Sequence, residues 1–366
     1  MKKIANIVRR NPVYAVFFLL LFILMVSFPR YIKEYLHFIN WKTIATIAGL
    51  MAVTTGIEQS AVLDSFTAKI INRSGSELGL AIRLTALSVI FSAFLTNDVS
   101  LFILIPVTLH IQKYIKNDVG KLIIFEAIGV NVGSTLTPIG NPQNIYLFHK
   151  MQLSSAKFVV QMLPAFLVLT IVLAVFVIFA FKGKPLLRTE ENFENRKKNS
   201  LLFAVSVAFI VLYFLFLNSS SAIYVLLALI LITYLIISKS VLRHSDWSLL
   251  LLFCVMFIDF GVMARIPFIH NLMTSINLNN TKNLFGTSVL LSQIISNVPA
   301  SIFLSHYSAN YRIIAYGVNV GGNGIIISSL ANVIALRLSK KNLFLEFHKY
   351  SVPFLIITFI ITILFI

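Results

Sequence analysis

Apolar stretches about as long as a bilayer is thick recur along the whole chain. The stretches at 13–28, 157–181 and 345–366 contain few charged residues, and a helix needs about 20 mainly apolar residues to cross a membrane. Hydrophobic residues make up 58% and charged residues 12% of the 366 positions, against roughly 45–50% and 25% in soluble domains. The sequence therefore predicts an all-α polytopic membrane protein without a soluble domain.

The formal charge of +17 comes from Lys and Arg clusters between the apolar stretches. Such clusters are typical of cytoplasmic loops, so membrane lipid is the expected partner and nucleic acid is not. Cys254 is the only cysteine, which excludes a disulfide framework and a thiolate metal site. The chain has no GxxxxGK[ST], HExxH or CxxC motif, so neither an ATP-driven pump nor a zinc enzyme is indicated.

The basic residues of the first ten positions predict a cytoplasmic N-terminus and a multi-pass topology in the cytoplasmic (inner) membrane. No small-residue cleavage pattern follows the first apolar stretch, so we expect this stretch to be retained as a helix. Helices outside the polar segments are expected at 12–28, from Trp41, and at 157–181, 200–217, 222–238 and 345–366.

An internal repeat has glycine and asparagine at its centre. The segment Gly129-Val130-Asn131-Val132-Gly133 recurs letter for letter at 317–321, an offset of 188 (317 − 129). The same offset aligns Asn144 with Asn332. Polar and glycine-rich backbone at membrane depth is typical of a binding site, because the freed peptide groups face a cavity rather than lipid.

Other features occur in the same order in both halves. Trp41 and Trp247 are the only tryptophans, and the polar segments Thr96-Asn97-Asp98 and Ser296-Asn297-Val298 follow them. An unpaired crossing at 200–217 lies between the halves, so they are predicted to have opposite orientations. Inverted repeats with interrupted helices are typical of secondary transporters.

These features predict three regions. The first repeat spans 1–181, with a hairpin at about 79–114 and an interrupted helix at about 120–148. A basic cytoplasmic loop and a linking helix occupy 182–221. The second, inverted repeat spans 222–366, with a hairpin at about 284–308 and an interrupted helix at about 311–338. Charge counting alone leaves open whether 79–114 is two full spans or a re-entrant hairpin.

The two polar segments are candidate ion sites. An Asp at membrane depth costs several kcal/mol unless it meets water, a partner or an ion. The oxygens of Thr96-Asn97-Asp98 suit sodium, and the following helix start suits an anion; a helix cap at a surface turn is the alternative. Ser296-Asn297-Val298 lacks the carboxylate. Asn97, Asp98 and Asn297 are the candidate sodium ligands. Sodium is expected as a coupling ion, and no other cofactor is expected.

The interrupted helices are the second candidate feature. Pro138 and Pro142 remove two backbone donors and free carbonyls that can coordinate an ion, with a plain proline kink as the alternative. In the second half, close helix packing through Gly317 and Gly321 is the competing interpretation. The predicted substrate- or ion-binding residues are Thr96, Asn97, Asp98, Thr137, Pro138, Gly140, Asn141, Pro142, Asn144, Ser296, Asn297, Val298, Gly321, Gly322, Asn323 and Asn332.

Other polar residues in the apolar stretches are weaker signals. Glu126 and Asp259 each lie inside an apolar run, where a carboxyl group is a candidate for proton coupling. The others are Glu58, Asp64, Arg83, His110 and Arg265. Most of them lie near a predicted membrane interface, where long side chains reach water.

Over nearly its whole length the chain resembles the ion transporter superfamily of arsenite permeases, NhaD-type sodium/proton antiporters, citrate transporters and divalent anion/sodium symporters. The segments 96–98 and 296–298 are similar to the Ser-Asn-Thr hairpin tips of the symporters, and 137–144 resembles their interrupted helix. The resemblance implies an elevator-like carrier, often a homodimer, whose two re-entrant hairpin tips hold sodium around a small anion. Asp98 and Val298 depart from the pattern, and 321–324 lacks its second proline-rich signature.

The expected function is secondary active transport of a small anionic solute, coupled to sodium or protons, by alternating access. A sodium/proton antiporter of the same superfamily is the first alternative. A polytopic membrane enzyme that uses Asp98 with a second carboxylate is another, and the absence of an acid in Ser296-Asn297-Val298 counts against it.

Overall fold

The computed structural model describes residues 12–62, 74–115, 117–186, 198–217, 219–339 and 343–366. Within these ranges every regular element is a helix, which confirms the all-α prediction. Several predicted features lie outside the described residues: the N-terminal basic cluster, Asp64 and the part of the basic loop from 187 to 197.

The first half contains eight α-helices within the described ranges. A 3-10 turn at Pro29–Glu34 follows the first of them. The helices are α1 (Pro12–Ser27), α2 (Tyr35–Phe38), α3 (Trp41–Gln59), α4 (Glu77–Phe94), α5 (Asn97–Tyr114), α6 (Gly120–Ser134), α7 (Pro142–Met151) and α8 (Ser155–Ala180).

The second half contributes ten more in the described ranges, with a 3-10 turn at Ile326–Ser328. They are α9 (Ser200–Phe216), α10 (Ser220–Ile237), α11 (Lys239–His244), α12 (Trp247–Met263), α13 (Pro267–Ser275), α14 (Thr281–Ile295), α15 (Asn297–Leu304), α16 (Tyr311–Gly321), α17 (Leu330–Ser339) and α18 (Phe344–Phe365).

Three described helices, α4, α8 and α18, are long and apolar enough to cross a membrane alone. Two bent pairs raise the number to five: α1 with the segment Pro29–Phe38, at 115°, and α12 with α13, at 78°. Large apolar side chains are exposed on the outer helices, for example Phe179 at 84% and Ile236 at 80%. Such surfaces suit lipid rather than water, as expected of a multi-pass membrane protein.

Corresponding breaks divide both halves into shorter helices. A break after Phe94 separates α4 from α5, and one after Ser134 separates α6 from α7. In the second half, α14 is followed by α15 from Asn297, and α16 ends at Gly321 before α17 begins. Helix starts and ends therefore fall inside the apolar part of the sequence.

Small residues let α6 pack closely on α4, and α16 on α14. A side chain at Gly133 would overlap the carbonyl oxygen of Val89 and the hydroxyl of Ser92. At Gly321, the equivalent position, a Cβ would lie 2.7 Å from Cβ of Ser292. Of the two interpretations of Gly321, these contacts favour close helix packing.

We predict that Gly133→Ala lowers the thermal stability of the purified protein in detergent. The added methyl group has no space, and overpacking of this kind costs about 1–3 kcal/mol. Gly286→Ala on α14 is the control, because nothing lies within 4 Å of the added Cβ, and alanine is favoured over glycine in a helix by about 0.8–1.0 kcal/mol. Equal melting temperatures for Gly133→Ala and the wild type would contradict the packing.

Candidate functional site

Both polar segments meet at one small cavity with the breaks at 135–141 and 322–329, which we call the first and second breaks, and the helix starts that follow them. Its volume is about 20 Å³. One wall is the apolar helix α12. The lining residues are Asn97, Asp98, Pro142, Gln143, Leu252, Phe253, Met256, Ser296, Asn297, Val298, Pro299, Ser329 and Leu330.

Four helices begin at this cavity: α5 at Asn97, α7 at Pro142, α15 at Asn297 and α17 at Leu330. A helix N-terminus carries unpaired N–H groups and roughly half a positive charge. Four of them sum to roughly +2, which exceeds the single negative charge of an ionised Asp98. Among the described residues of the lining, Asp98 is the only charged one.

The two polar segments 96–98 and 296–298, which we call the tips, have the same local structure. The Oδ1 atom of Asn97 accepts a hydrogen bond of 2.9 Å from the backbone N–H of Asp98. The Oδ1 atom of Asn297 accepts the equivalent bond from Val298, also 2.9 Å. Each carboxamide oxygen is engaged with its own tip and keeps one lone pair, and the side-chain NH₂ group is the donor that each asparagine can offer a ligand.

The tips differ in backbone conformation and in charge. Ser296 has φ of 74°, a region that a residue with a side chain rarely adopts. Such strain tends to persist where function requires it. Asp98 adds a carboxylate to the first tip, and one of its oxygens, Oδ1, is buried without a hydrogen-bond partner. Val298 occupies the corresponding place in the second tip.

Each tip is attached to the break of its own half. The backbone N–H of Asn97 donates to the carbonyl of Gly140 at 2.8 Å. The hydroxyl of Ser296 donates to the carbonyl of Ser328 at 3.4 Å. Gly140 and Ser328 are separated by the repeat offset of 188 (328 − 140), so the two halves use the same attachment point.

The carbonyls exposed by the first break are bonded to an asparagine of the protein itself. The Nδ2 atom of Asn144 donates to the carbonyls of Ser134, Thr135 and Thr137 at 3.0, 3.2 and 3.1 Å. Asn141 caps α7 by accepting from the backbone N–H of Asn144 at 2.8 Å. The side chain of Asn144 therefore satisfies these carbonyls, and their coordination of an ion stays a prediction.

The second break is held in the same way. The Nδ2 atom of Asn332 donates to the carbonyls of Gly322 and Ile325 at 2.9 and 3.4 Å. Gly322 and Ile325 stand 188 positions after Ser134 and Thr137 (322 − 134 and 325 − 137). Asn144 and Asn332 therefore have the same role in the two halves.

The same two asparagines also connect the halves reciprocally. Asn131 donates through Nδ2 to Oδ1 of Asn332 at 2.7 Å. Asn319, its repeat mate, donates through Nδ2 to Oδ1 of Asn144 at 2.8 Å. All four side chains are at most 3% exposed. We call these two contacts the asparagine bridges.

A second reciprocal pair of hydrogen bonds flanks the bridges. The hydroxyl of Ser329 donates to Oδ1 of Asn131 at 3.0 Å. Asn141 donates through Nδ2 to Oδ1 of Asn319 at 2.9 Å. Ser329 follows Asn141 by the same 188 positions (329 − 141). An exchange in which each half gives the other the same contact is what a two-fold relationship produces.

The structure divides the predicted site residues into two groups. Those that line the cavity are Asn97, Asp98, Pro142, Ser296, Asn297 and Val298. Those that lie behind it, mainly in the breaks, are Thr96, Thr137, Pro138, Gly140, Asn141, Asn144, Gly321, Gly322, Asn323 and Asn332. In the part of the chain that is described, no three His, Cys, Asp or Glu side chains come together as metal ligands.

Gln143 lines the cavity but was not predicted as a site residue. It is 2% exposed, and its Oε1 atom has no hydrogen-bond partner. Its position between Pro142 and Asn144, in the first turn of α7, was the available sequence signal. Leu252, Phe253 and Met256 were also missed, because nothing distinguishes them from other apolar residues of α12.

We predict that Asn144→Ala destabilises the protein, because it leaves three carbonyls and the Asn319 amide without this partner. A buried polar group left unpaired costs about 1–3 kcal/mol. Asn332→Ala should have a similar effect, and Asn271→Ala, at an exposed position of α13, should have none. Thermal unfolding in detergent measures all three. Wild-type stability of Asn144→Ala would contradict the assigned role.

Comparison with known proteins supports the assignment of the chain to a transporter family. It is 36% identical over 321 residues to the inner membrane protein YbiR of Escherichia coli, covering 87% of this chain and 85% of that protein. It is 39% identical over 312 residues to an uncharacterized transporter of Methanocaldococcus jannaschii, covering 84% of each.

A more distant relative is the 46 kDa membrane protein of Mycobacterium leprae, 24% identical over 344 residues, with 82% of this chain and 79% of that protein covered. The sequence profile described as citrate transporter matches residues 4–312. With these matches, the apolar helices and the cavity at four helix starts, the chain belongs to the citrate transporter family of membrane transporters.

Proposed function

We propose that this protein is a secondary active transporter that moves a small anion across the cytoplasmic membrane by alternating access, coupled to sodium or protons. The observation that carries the proposal is the cavity where both tips and both breaks meet. In carriers built from inverted repeats, a site between the halves opens to one side and then the other. The reciprocal asparagine bridges support such a pair of halves.

The chemistry of the cavity supports an anionic solute. The partial positive charges of four helix N-termini favour a negative charge, and the side-chain NH₂ groups of Asn97 and Asn297 are hydrogen-bond donors. Donors at helix N-termini bind carboxylate and phosphate groups. The family description, citrate transporter, is consistent with a carboxylate solute.

The size of the cavity supports a closed state of the proposed transporter. About 20 Å³ is room for little more than one water molecule, whereas sites for small organic ligands are usually about 300–1,000 Å³. An organic anion therefore enters only after the tips separate, and we take this arrangement as a closed state.

Because tips and breaks are bonded together, we propose that they move as one body, as in an elevator. We also propose a cytoplasmic N-terminus and a homodimer surrounded by membrane lipid.

A sodium/proton antiporter is the second candidate function. It is favoured by two buried acceptor oxygens without hydrogen-bond partners, Oδ1 of Asp98 and Oε1 of Gln143, which line a cavity of ion size. Oxygen atoms of this kind suit sodium. In this alternative Asp98 exchanges a proton for the metal ion, and no organic solute binds.

We predict that Asn97→Ala and Asn297→Ala each lower citrate uptake by proteoliposomes about ten- to hundredfold. A hydrogen bond to a charged group contributes about 1.5–3 kcal/mol, and each variant removes such donors. Asn271→Ala is the matched control, since this residue is exposed on α13. Gel filtration and thermal melting check folding. Uptake at the wild-type rate in either folded tip variant would refute the site.

Sodium pulses distinguish the two candidate functions. For anion transport, we expect uptake of labelled citrate or another small carboxylate to scale with an imposed sodium or proton gradient. For antiport, sodium added to the wild type without any anion should drive protons across the membrane, and Asp98→Asn should abolish this movement. Proton movement without an anion, combined with no carboxylate uptake, would replace the proposed function by the alternative.

A further inference from the structure

A buried carboxyl group lies apart from the cavity. Glu126, in the middle of α6, is 0% exposed, and helices α4, α5, α8, α16, α17 and α18 contact α6. Its Oε1 atom accepts a hydrogen bond of 2.5 Å from the hydroxyl of Thr108 on α5. Its Oε2 atom is buried without a partner.

Two cationic side chains on these helices have partners other than Glu126. Arg83 donates to Ser74 and Gly79, and Lys121 donates to the carbonyl of Ala180 at 3.1 Å. Glu77 accepts a hydrogen bond from Asn117. The other charged and titratable groups on the surrounding helices are Asp98, Tyr311, Arg312, Tyr316, Glu346, His348, Tyr350 and the exposed Lys157, Arg337 and Lys349. His110, Lys113 and Tyr114 on α5 have side chains outside the described ones.

An ionised Glu126 would be an uncompensated charge among the described side chains. Burying such a charge costs several kcal/mol, whereas a neutral carboxyl group costs far less. A proton on Oε2 also agrees with the hydrogen bond, because Oε1 is then the carbonyl oxygen that accepts from Thr108. The surroundings therefore select the neutral acid.

We propose that Thr108 and Glu126 form a proton-binding site, separate from the ion-binding tip, that is occupied while α5 and α6 are in contact. Asp98 precedes Thr108 by ten residues on α5 (108 − 98), which places it about 15 Å away along the helix. Pro106 lies inside α5, close to Thr108, and a proline lets a helix bend at this point.

Opening of the cavity is coupled to release of the proton from Glu126. This coupling rests on the proposed function. Helix α5 begins at the tip, and α6 ends at the first break. When the cavity opens, the tip stays bonded to the break, α5 bends at Pro106, its segment with Thr108 shifts on α6, and water reaches Glu126. The carboxyl group then releases its proton to water, and it binds a proton again on closing.

Infrared spectroscopy tests the proton without any solute. At about pH 7, well above the value of about 4.3 at which an exposed Glu ionises, the wild type in lipid should show the C=O band of a protonated carboxyl group. Glu126→Gln should remove this component. Thr108→Val should retain it at higher frequency, since the carbonyl loses its hydrogen bond.

Three further variants serve as controls for the band. Glu58→Gln, at an exposed position of α3, should leave the band unchanged. Asp259→Asn identifies the contribution of the other carboxyl group that is 0% exposed among the described residues. In His110→Gln the Glu126 component should stay as in the wild type. A spectrum of folded Glu126→Gln identical to that of the wild type, or a Glu126 component that appears only in His110→Gln, would overturn the proposal.

Transport measurements test the coupling separately. Glu126→Gln imitates the protonated state, so we expect citrate exchange between the two sides to persist and accumulation driven by a proton gradient to be lost. Proton-driven accumulation at the wild-type rate in Glu126→Gln would refute the coupling. Failure of the proposed carrier function would show differently, as absence of citrate exchange in the wild type. Should Glu126→Gln not fold, the band shift in Thr108→Val still decides whether Glu126 holds a proton.

Discussion

Peptide groups left unpaired by broken helices have to be satisfied inside a region without water, and two asparagine side chains do this. In hydrocarbon each unpaired group costs several kcal/mol, so a break at this depth needs its own donors. Asn144 and Asn332 supply them to the carbonyls of the first and second breaks. Each also accepts from an asparagine of the other half, so the groups that stabilise the breaks also join the halves.

The geometry of the cavity follows from these contacts. Once the breaks are fixed, α7 and α17 begin at defined points, and the tips bonded to the breaks bring the starts of α5 and α15 to the same place. The partial positive charges of these helix starts are the basis of the proposal that the cavity binds an anion. The connected tips and breaks are also stiff, which favours movement as a unit over deformation of the site during a transport cycle.

Much of the architecture could be predicted because it depends on local sequence. Pro138, Pro142 and the glycines of 321–324 are incompatible with regular helix, so the breaks were visible without coordinates. The direction of a side chain at a break depends on tertiary contacts, which is why the sequence did not show that Asn144 and Asn332 bind the protein's own carbonyls. Gln143, between two residues that were predicted, faces the cavity. Glu126 was recognised as unusual, but its partner Thr108 lies on another helix.

The central claim is that the tips and breaks form a single site reached alternately from the two sides of the membrane. Val298→Cys, in a Cys254→Ala background that removes the only native cysteine, places a thiol in the cavity lining. In proteoliposomes of known orientation, a membrane-impermeant thiol reagent should label this cysteine from either side, and a transported anion should slow the labelling. A cysteine at the exposed Asn271 should react from one side only. Labelling of Val298→Cys from one side alone, under all ion gradients, would contradict the account.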